Sequence, residues 1–262
     1  MLYDAHIHLD GYPPEERDDM LRKAFAGDVG GAVAVSTGRA SCVETRELAR
    51  KYPGRVLPAY GHHPEQPALE AGELEELCGW IRERRHEPFA IGEVGLPYYL
   101  RKEKGAAGEP FDEAPYVRQL DRFAALAAEL DRPIVLHAVY EDADKALELL
   151  ERHRVRKAHF HWFKGSPESQ RRMADRGCMI SFAPDIVYED EIRELAVAYP
   201  LGLIMAETDG PWPFEGPFAG RRTGPEMTRD VVRALAALKG LDPREMERIV
   251  ERNTKHFYEW PW

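Results

Sequence analysis

The chain has 262 residues, of which 44% are hydrophobic and 31% are charged. This balance excludes a disordered chain, and the length suits either one large barrel or two small domains. The formal net charge of −10 excludes a global field that would attract nucleic acid or anionic lipid, so a polyanionic substrate would require a local basic patch or bound metal cations.

Strand-like runs alternate with amphipathic helical segments along almost the whole chain. Eight strands are predicted, at Leu2–His6, Gly31–Ser36, Arg55–Tyr60, Phe89–Gly92, Pro133–His137, Lys157–His161, Met179–Phe182 and Leu203–Glu207. The predicted helices between them include Val43–Lys51, Leu74–Arg85, Tyr116–Leu130, Ala143–Arg152, Glu168–Arg176 and Glu189–Tyr199. Alternation of this kind implies a parallel sheet, so we predict an α/β fold in which residues 1–262 form one (β/α)8 TIM barrel.

The main alternative is an open, doubly wound sheet, which normally carries a glycine-rich phosphate turn after its first strand. This chain has histidines at that position. Two segments interrupt the alternation, Tyr98–Pro115 and Pro211–Pro225; both are rich in Gly or Pro and follow predicted strands. Barrel enzymes build substrate loops at such positions, so we expect loops there.

Cysteine usage and hydropathy indicate the compartment. The three cysteines are widely separated and form no Cys-x-x-Cys pair, so they predict neither a disulfide framework nor a thiolate zinc site. No apolar run approaches the ~18 residues of a membrane span, and the first strand leaves no room for a leader. We expect a cytoplasmic protein that has no contact with membranes and no obligate protein partner.

Histidines collect where the predicted strands end. His6 and His8 point to the same side of the first strand, because residues i and i+2 share a face. Seven of the ten histidines lie at or just after strand ends: His6, His8, His62, His63, His137, His159 and His161. Glu93, Glu207 and Asp209 lie at the same ends. Since active sites in this fold occupy the C-terminal face of the barrel, we predict a metal site there.

The chemistry of such a site follows from its ligands. Imidazoles and carboxylates together suit zinc, manganese or iron. One carboxylate shared by two ions would hold them ~3.5–4 Å apart, a spacing that clamps the attacking and leaving oxygens of a displacement reaction. Asp209, after the last strand, is the candidate for accepting the proton of a bound water.

The motifs at these strand ends, in chain order, are DAHIHLD, GHHP, IGEVGL, PIVLH, HWFKGS and ETDGP. They resemble those of the TatD family of metal-dependent hydrolases, in the amidohydrolase-like barrel superfamily. The stretch LAALKGLDPREMERIVERNTKHF is similar to the closing helices of that family, so the likeness spans the whole chain. PHP-type phosphoesterases also begin with an H-x-H strand, but GEVGL and HWFKGS favour the TatD resemblance.

The resemblance implies two divalent metal ions per chain, with Zn, Mn or Mg as candidates. One ion would be held by His6, His8, Glu93 and Asp209. The second would be held by Glu93, His137 and His161. Glu93 would therefore bridge the ions and, with Asp209, form the catalytic pair.

Two further histidines have other implied roles. His161 is preferred over His159 because it opens the H-x-F-x-G pattern, but His159 shares its strand face and remains a possible substitute ligand. His63, before Pro64, would line the substrate pocket without binding metal.

The chain departs from the family pattern around the metals. Pro97 stands where members commonly have the aspartate of Gly-Leu-Asp, and Val139 where they have a basic residue. Trp162 and Lys164 replace a cysteine and a serine. An arginine beside the metals is a natural phosphate clamp. Because Val139 replaces the usual basic residue, Lys164 is a candidate for supplying the missing charge and contacting substrate. The run from Arg101 to Lys104 is the other source of charge, although we favour a solvated loop for it.

The leading function is a TatD-type phosphodiesterase, a deoxyribonuclease in which a metal-bridging hydroxide attacks phosphorus. The net charge favours DNA ends or short oligonucleotides over long duplexes. An alternative, suggested by Pro97 and Val139, is a hydrolase of a small amide, lactone or phosphoester. A non-catalytic barrel is a third hypothesis, and the complete ligand set argues against it.

Several other residues have two possible roles each. Asp4 either ends a strand or orients a histidine, and Glu207 has an outer role rather than binding metal directly. The aromatic residues of the last loop either stack a substrate ring or, as we favour, pack as a lid: Trp212, Phe214 and Phe218. Trp260 and Trp262 either cover apolar surface or fray.

Overall fold

In the computed structural model, which describes residues 1–260, eight parallel strands pair in chain order from the first to the last. They are β1 Leu2–Ile7, β2 Val29–Val35, β3 Val56–Tyr60, β4 Ala90–Gly95, β5 Ile134–His137, β6 Ala158–Phe160, β7 Met179–Phe182 and β8 Ile204–Ala206. Each lies within a few residues of its predicted position. The alternating sheet is a (β/α)8 TIM barrel, and the predicted fold is confirmed.

Ten α-helices accompany these strands in the described chain. They are α1 Pro14–Ala26, α2 Arg39–Lys51, α3 Ala71–Arg82, α4 Tyr98–Ala106, α5 Ala114–Leu130, α6 Glu141–His153, α7 Pro167–Asp175, α8 Asp190–Ala198, α9 Thr228–Lys239 and α10 Pro243–Phe257. Within residues 1–260 no helix combines the length and apolar character needed to cross a bilayer.

The predicted loop Tyr98–Pro115 is wrong in its first half, which is helix α4. The carboxylate of Glu65 accepts the backbone N–H groups of Tyr99 and Leu100 at 3.0 and 2.6 Å. These are first-turn donors that have no partner within a helix, so their capping stabilises α4. The capping residue comes from the β3–α3 connection, which is why the local sequence does not reveal the helix.

Hydrogen bonds between the ends of β1 and β8 close the barrel at its C-terminal face. The N–H of His8 donates to the backbone oxygen of Gly210 at 2.8 Å, and the N–H of Asp209 donates to that of His6 at 3.0 Å. Asp209 has a φ of 46°, in the left-handed region that aspartate tolerates better than most residues. The closure thereby places three predicted metal ligands side by side.

Asp4 supports the same closure from inside the barrel. Its buried carboxylate accepts the N–H of His6 at 3.2 Å, the N–H of Thr208 at 3.0 Å and the Thr208 hydroxyl at 2.5 Å. Asp4 therefore ties β1 to the end of β8 and positions His6 through its backbone.

Trp260 covers the amino ends of β1 to β3. Its ring is 4% exposed and stands edge-on to Tyr3 with centroids 5.0 Å apart, while its Nε1 donates to the backbone oxygen of Gly54 at 2.9 Å. Gly31 makes room for the ring, since a Cβ there would lie 2.3 Å from it. The prediction that Trp260 covers apolar surface is confirmed, and Trp262 lies outside the described residues.

Replacing this ring should destabilise the barrel strongly. We expect Trp260→Ala to lower the free energy of unfolding by ~3–5 kcal/mol, because a large buried aromatic leaves a cavity. The measurement is urea denaturation followed by circular dichroism. Trp212→Ala is the matched control: its ring is 55% exposed, so the change should stay within ~0.5 kcal/mol. Equal losses in both variants would contradict this assignment.

Candidate metal centre

All the predicted ligands meet at the C-terminal rim. His6 lies in β1 and His8 just beyond it, Glu93 lies in β4, and His137 ends β5. The other two follow strands: His161 comes after β6 and Asp209 after β8. A Cβ at Gly95 would lie 1.9 Å from the backbone oxygen of His137, so glycine lets β4 approach β5 closely beside Glu93.

The first group consists of His6, His8, Glu93 and Asp209. The Nε2 of His6 lies 3.2 Å from Glu93 Oε2 and 3.3 Å from Asp209 Oδ1. The Nε2 of His8 lies 3.2 and 3.4 Å from the same oxygens, and the two nitrogens are 3.4 Å apart. Tetrahedral ligands at ~2.0–2.1 Å from zinc stand roughly 3.3 Å from one another. These atoms therefore fit around one ion.

The second group forms around the other oxygen of Glu93. Its Oε1 lies 2.7 Å from His161 Nε2 and 3.0 Å from His137 Nδ1, and the two nitrogens are 3.2 Å apart. The rings of His6 and His161 stack with centroids 3.8 Å apart, so the two groups are adjacent. Each oxygen of Glu93 thus faces a different set of imidazoles, as a bridging ligand must.

His63 also reaches this group. Its Nε2 lies 3.3 Å from Glu93 Oε1, and His63, Glu93 and His137 together satisfy the spacing of a metal site. His63 also lines the cleft above the metal centre. Its predicted role as a substrate contact stays a prediction, and the geometry allows ligation as well.

The donor set fits divalent cations. Glu93 Oε2 and Asp209 Oδ1 are buried and accept no hydrogen bond from residues 1–260. A buried carboxylate oxygen without a partner is costly, and a coordinated cation compensates it. The convergence of imidazole nitrogens on the same oxygens gives the borderline ligand set typical of zinc and manganese.

Both carboxylates are ionised at neutral pH. Burial alone raises the pKa of Glu93, but His63, His161 and His6 outweigh it and hold that pKa well below its ordinary value. Burial also raises the pKa of Asp209, but the nearby imidazoles of His6 and His8 outweigh it and hold that pKa below its ordinary value.

The histidines around Glu93 differ in protonation, and His161 differs from His8 and His137, both of whose pKa values are raised to about 9. Burial lowers the pKa of His8, yet Asp209 and Glu93 raise it to about 9, so metal binding there must displace a proton. Burial and the nearby charge of His6 lower the pKa of His161 to about 4, which leaves a neutral imidazole ready to bind metal.

Glu65 is a positioning residue that sequence reasoning missed. Its Oε1 lies 3.3 Å from His137 Nε2, on the side of the ring away from Glu93. Metal-binding imidazoles usually donate their second ring N–H to such a carboxylate. The same carboxylate caps α4, so Glu65 couples a predicted ligand to the helix at the rim. Its place in GHHPE, two residues after His63, is the one sequence signal that could have indicated it.

A buried network lies beneath the second group. Glu207 accepts the N–H of Trp162 at 2.7 Å and the Ser181 hydroxyl at 2.5 Å. Ser181 in turn contacts His159 Nε2 at 2.5 Å, and Tyr258 contacts His159 Nδ1 at 2.6 Å. Both ring nitrogens of His159 therefore make hydrogen bonds, and neither is left free to bind a metal ion in place of His161. Glu207, whose pKa burial raises to about 8, supports the backbone after His161. Its carboxylate also has the spacing of a metal ligand relative to His6 and His161, so its outer role stays a prediction.

A cleft of about 930 Å³ opens above the two groups. Among residues 1–260, Lys164 is the one lysine or arginine that lines it, and its Nζ lies 3.9 Å from Asp185. Arg101 does not line the cleft and forms ion pairs with Glu113, Glu141 and Asp142, of which the Nη1–Oδ1 distance to Asp142 is 2.9 Å. Lys104 forms an ion pair with Glu109. The run from Arg101 to Lys104 is therefore helical surface held by ion pairs.

A (β/α)8 barrel with histidines and carboxylates converging at this rim defines the class of metal-dependent barrel hydrolases. The comparisons narrow the class to one family. The chain belongs to the TatD-related DNases, whose family model matches residues 3–259.

Individual relatives agree with this membership. The chain is 36% identical over 260 residues to a Haemophilus influenzae protein described as an uncharacterized metal-dependent hydrolase, covering 98% of this chain and 99% of the relative. It is 29% identical to human deoxyribonuclease TATDN3, over 96% of this chain and 92% of that protein. The crystal structure of YJJV, a TatD homologue of Escherichia coli, superposes with a TM-score of 0.83 at 26% identity, covering 99% of this chain and 98% of that one.

Removing Glu65 should loosen both the helix and the metal centre. In Glu65→Ala we expect faster hydrogen exchange at the amides of Tyr99 and Leu100, and ~10–100-fold weaker metal affinity, because α4 loses its cap and His137 loses its orienting partner. Hydrogen-exchange mass spectrometry and competition with a chelating dye measure the two effects. Glu103→Ala removes an exposed carboxylate from the same helix and serves as the control. A Glu65→Ala protein that matches this control in both measurements would contradict the assignment.

Proposed function

We propose that the protein is a two-metal phosphodiesterase that hydrolyses DNA at single-stranded ends or in short oligonucleotides. The observation that carries the proposal is Glu93, whose two oxygens face the separate histidine groups at 3.2 Å or less. Membership of the TatD-related DNases and the likeness to a human deoxyribonuclease support DNA as the substrate.

We assign the ligands as the sequence predicts. His6, His8, Glu93 and Asp209 would hold one ion, and Glu93, His137 and His161 the other. The mixture of imidazole and carboxylate ligands favours zinc or manganese over magnesium. When bound, the two ions supply Lewis-acid stabilisation of a phosphodiester and lower the pKa of a water molecule.

The chain's own residues would then orient the substrate and move the proton. Asp209 lines the cleft and remains a carboxylate at neutral pH, so it is placed to accept the proton of the attacking water. Lys164, held near Asp185, would contact a phosphate oxygen as a point charge. His63 is placed to contact substrate from the side of β3.

The charges that line the cleft explain why substrate binding, as well as the chemical step, should depend on metal. Without ions the cleft presents the carboxylates of Glu65, Glu103 and Asp209, which offset the positive charges of Lys164, His8 and His137, so a phosphodiester gains little attraction. Two divalent ions held by these residues would overcompensate the charges of Glu93 and Asp209 and would make phosphate binding favourable.

We also propose that the enzyme acts in the cytoplasm. Its three cysteines are all free and buried, which is typical of proteins from reducing compartments.

The alternative is hydrolysis of a small ester, lactone or amide at the same metals. Val139 is buried against the cleft where the family commonly has a basic residue, and Pro97 precedes α4. Both reduce the polar contacts available to a phosphate.

The test is hydrolysis of end-labelled single-stranded DNA by metal-stripped protein refilled with zinc, manganese or magnesium. We expect metal-dependent shortening, and a loss of roughly 10²–10⁴-fold in rate for Asp209→Asn, which keeps the side-chain shape but removes the proton acceptor. Glu93→Gln should lose activity and metal together. His256→Asn, on the exposed face of α10, is the matched control. DNA left intact by metal-loaded protein would reject the phosphodiesterase and favour the small-substrate alternative.

A further inference from the structure

Two exposed aromatic rings border the metal cleft. Among residues 1–260, the large hydrophobic side chains that are most exposed include only two aromatic ones, Tyr99 at 49% and Trp212 at 55%, and both line this cleft. The remaining four are aliphatic: Met1, Val43, Val187 and Val197. Single exposed apolar side chains are common on protein surfaces, but two aromatic rings that border one cleft offer a ligand a large flat contact area, so their shared position points to a binding role.

The ring of Tyr99 lies beside the second metal group, and the ring of Trp212 is linked to it through Trp162. The ring of Tyr99 stands edge-on to His137 with centroids 6.0 Å apart. The ring of Trp212 stands edge-on to Trp162 at 5.9 Å, and Trp162 directly follows His161. A phosphate at the metals would therefore have an aromatic surface near each of the two histidine-bearing strand ends.

The other aromatic residues of the last loop behave differently. Phe214 and Phe218 are buried against Ala183 and Met227, which confirms the predicted lid packing for these two. Trp212 remains outside this cluster with its ring in the cleft. Within one loop, Phe214 and Phe218 are therefore packed, whereas Trp212 is exposed to the cleft.

Hydrogen bonds to their backbone groups hold both exposed residues in place. The N–H of Trp212 donates to the backbone oxygen of Asp209 at 3.0 Å, and its own oxygen accepts the Thr223 hydroxyl at 2.5 Å. Tyr99 is fixed through the bond from its N–H to Glu65. Aromatic surfaces on a rigid backbone lose little entropy when a ligand binds.

We propose that Tyr99 and Trp212 form a stacking clamp for the nucleobases next to the phosphate at the metal centre, with little preference among the bases. The proposal rests on the phosphodiesterase function proposed above. Beside its charged groups, the cleft is lined by Leu100, Val139, Pro211 and Pro213, and the side chains of these four cannot read the hydrogen-bonding edge of a base. Stacking on aromatic rings, by contrast, tolerates any base.

The clamp is tested by comparing two strands on the metal-loaded protein: a hydrolysis-resistant phosphorothioate tetrathymidylate and an abasic strand with the same backbone. Fluorescence anisotropy gives the affinity for each. The wild-type protein should prefer the strand with bases, since each stacked base contributes roughly 5- to 150-fold in affinity. Tyr99→Ala and Trp212→Ala should each reduce this preference, and the double variant should bring the ratio of affinities close to one.

Two further variants make the test specific. Trp212→Phe keeps an aromatic face and should restore most of the preference. Val197→Ala removes an equally exposed apolar side chain from α8, outside the cleft, and should leave the preference intact. An unchanged preference in the double variant would overturn the clamp.

Parallel hydrolysis of the cleavable forms of the two strands separates the clamp from the proposed function. Equal binding and equal cleavage of both strands by the wild-type protein would overturn the clamp while the phosphodiesterase stands. Failure to cleave either strand would reject the phosphodiesterase itself, and the clamp with it.

Discussion

The carboxylate of Glu93, fully buried at the mouth of the barrel, is the group on which the rest of the site depends. Burying an ionised carboxylate costs several kcal/mol unless charges or donors surround it. Here imidazoles surround both oxygens, and four of them have a nitrogen at 3.2 Å or less from Glu93. Because the same histidines can bind metal, the groups that stabilise the buried charge without ions are the ones that would share it with them.

The fold brings these groups together through its strand ends. Parallel strands present all their carboxyl ends at one face, so side chains far apart in sequence meet there. The closure of the barrel adds precision: hydrogen bonds between the ends of β1 and β8 fix His6, His8 and Asp209 relative to one another, and Asp4 supports that closure from within. On the opposite face Trp260 covers the amino ends of β1 to β3.

Much of this arrangement is predictable from the sequence. The eight strands follow from alternating apolar runs, and the ligand set follows from histidines and carboxylates at their ends combined with the family resemblance. What could not be predicted depends on partners distant along the chain. The role of Glu65 cannot be inferred without knowing that His137 and the start of α4 lie beside it in the fold.

The same limit applies to the aromatic loop and to α4. Nothing in the sequence separates Trp212 from Phe214 and Phe218, because only packing decides which rings are buried. The run from Arg101 to Lys104 is typical of a solvated loop, yet a distant cap and ion pairs to α6 make it helical. Tertiary contacts outweighed local preference at each of these positions.

The most direct test of the account is anomalous diffraction from crystals of the zinc-loaded protein, recorded on both sides of the zinc absorption edge. The account predicts two peaks ~3.5–4 Å apart, one beside His6, His8 and Asp209 and the other beside His137 and His161, each in contact with one oxygen of Glu93. A single peak, or two peaks that do not both contact Glu93, would contradict it.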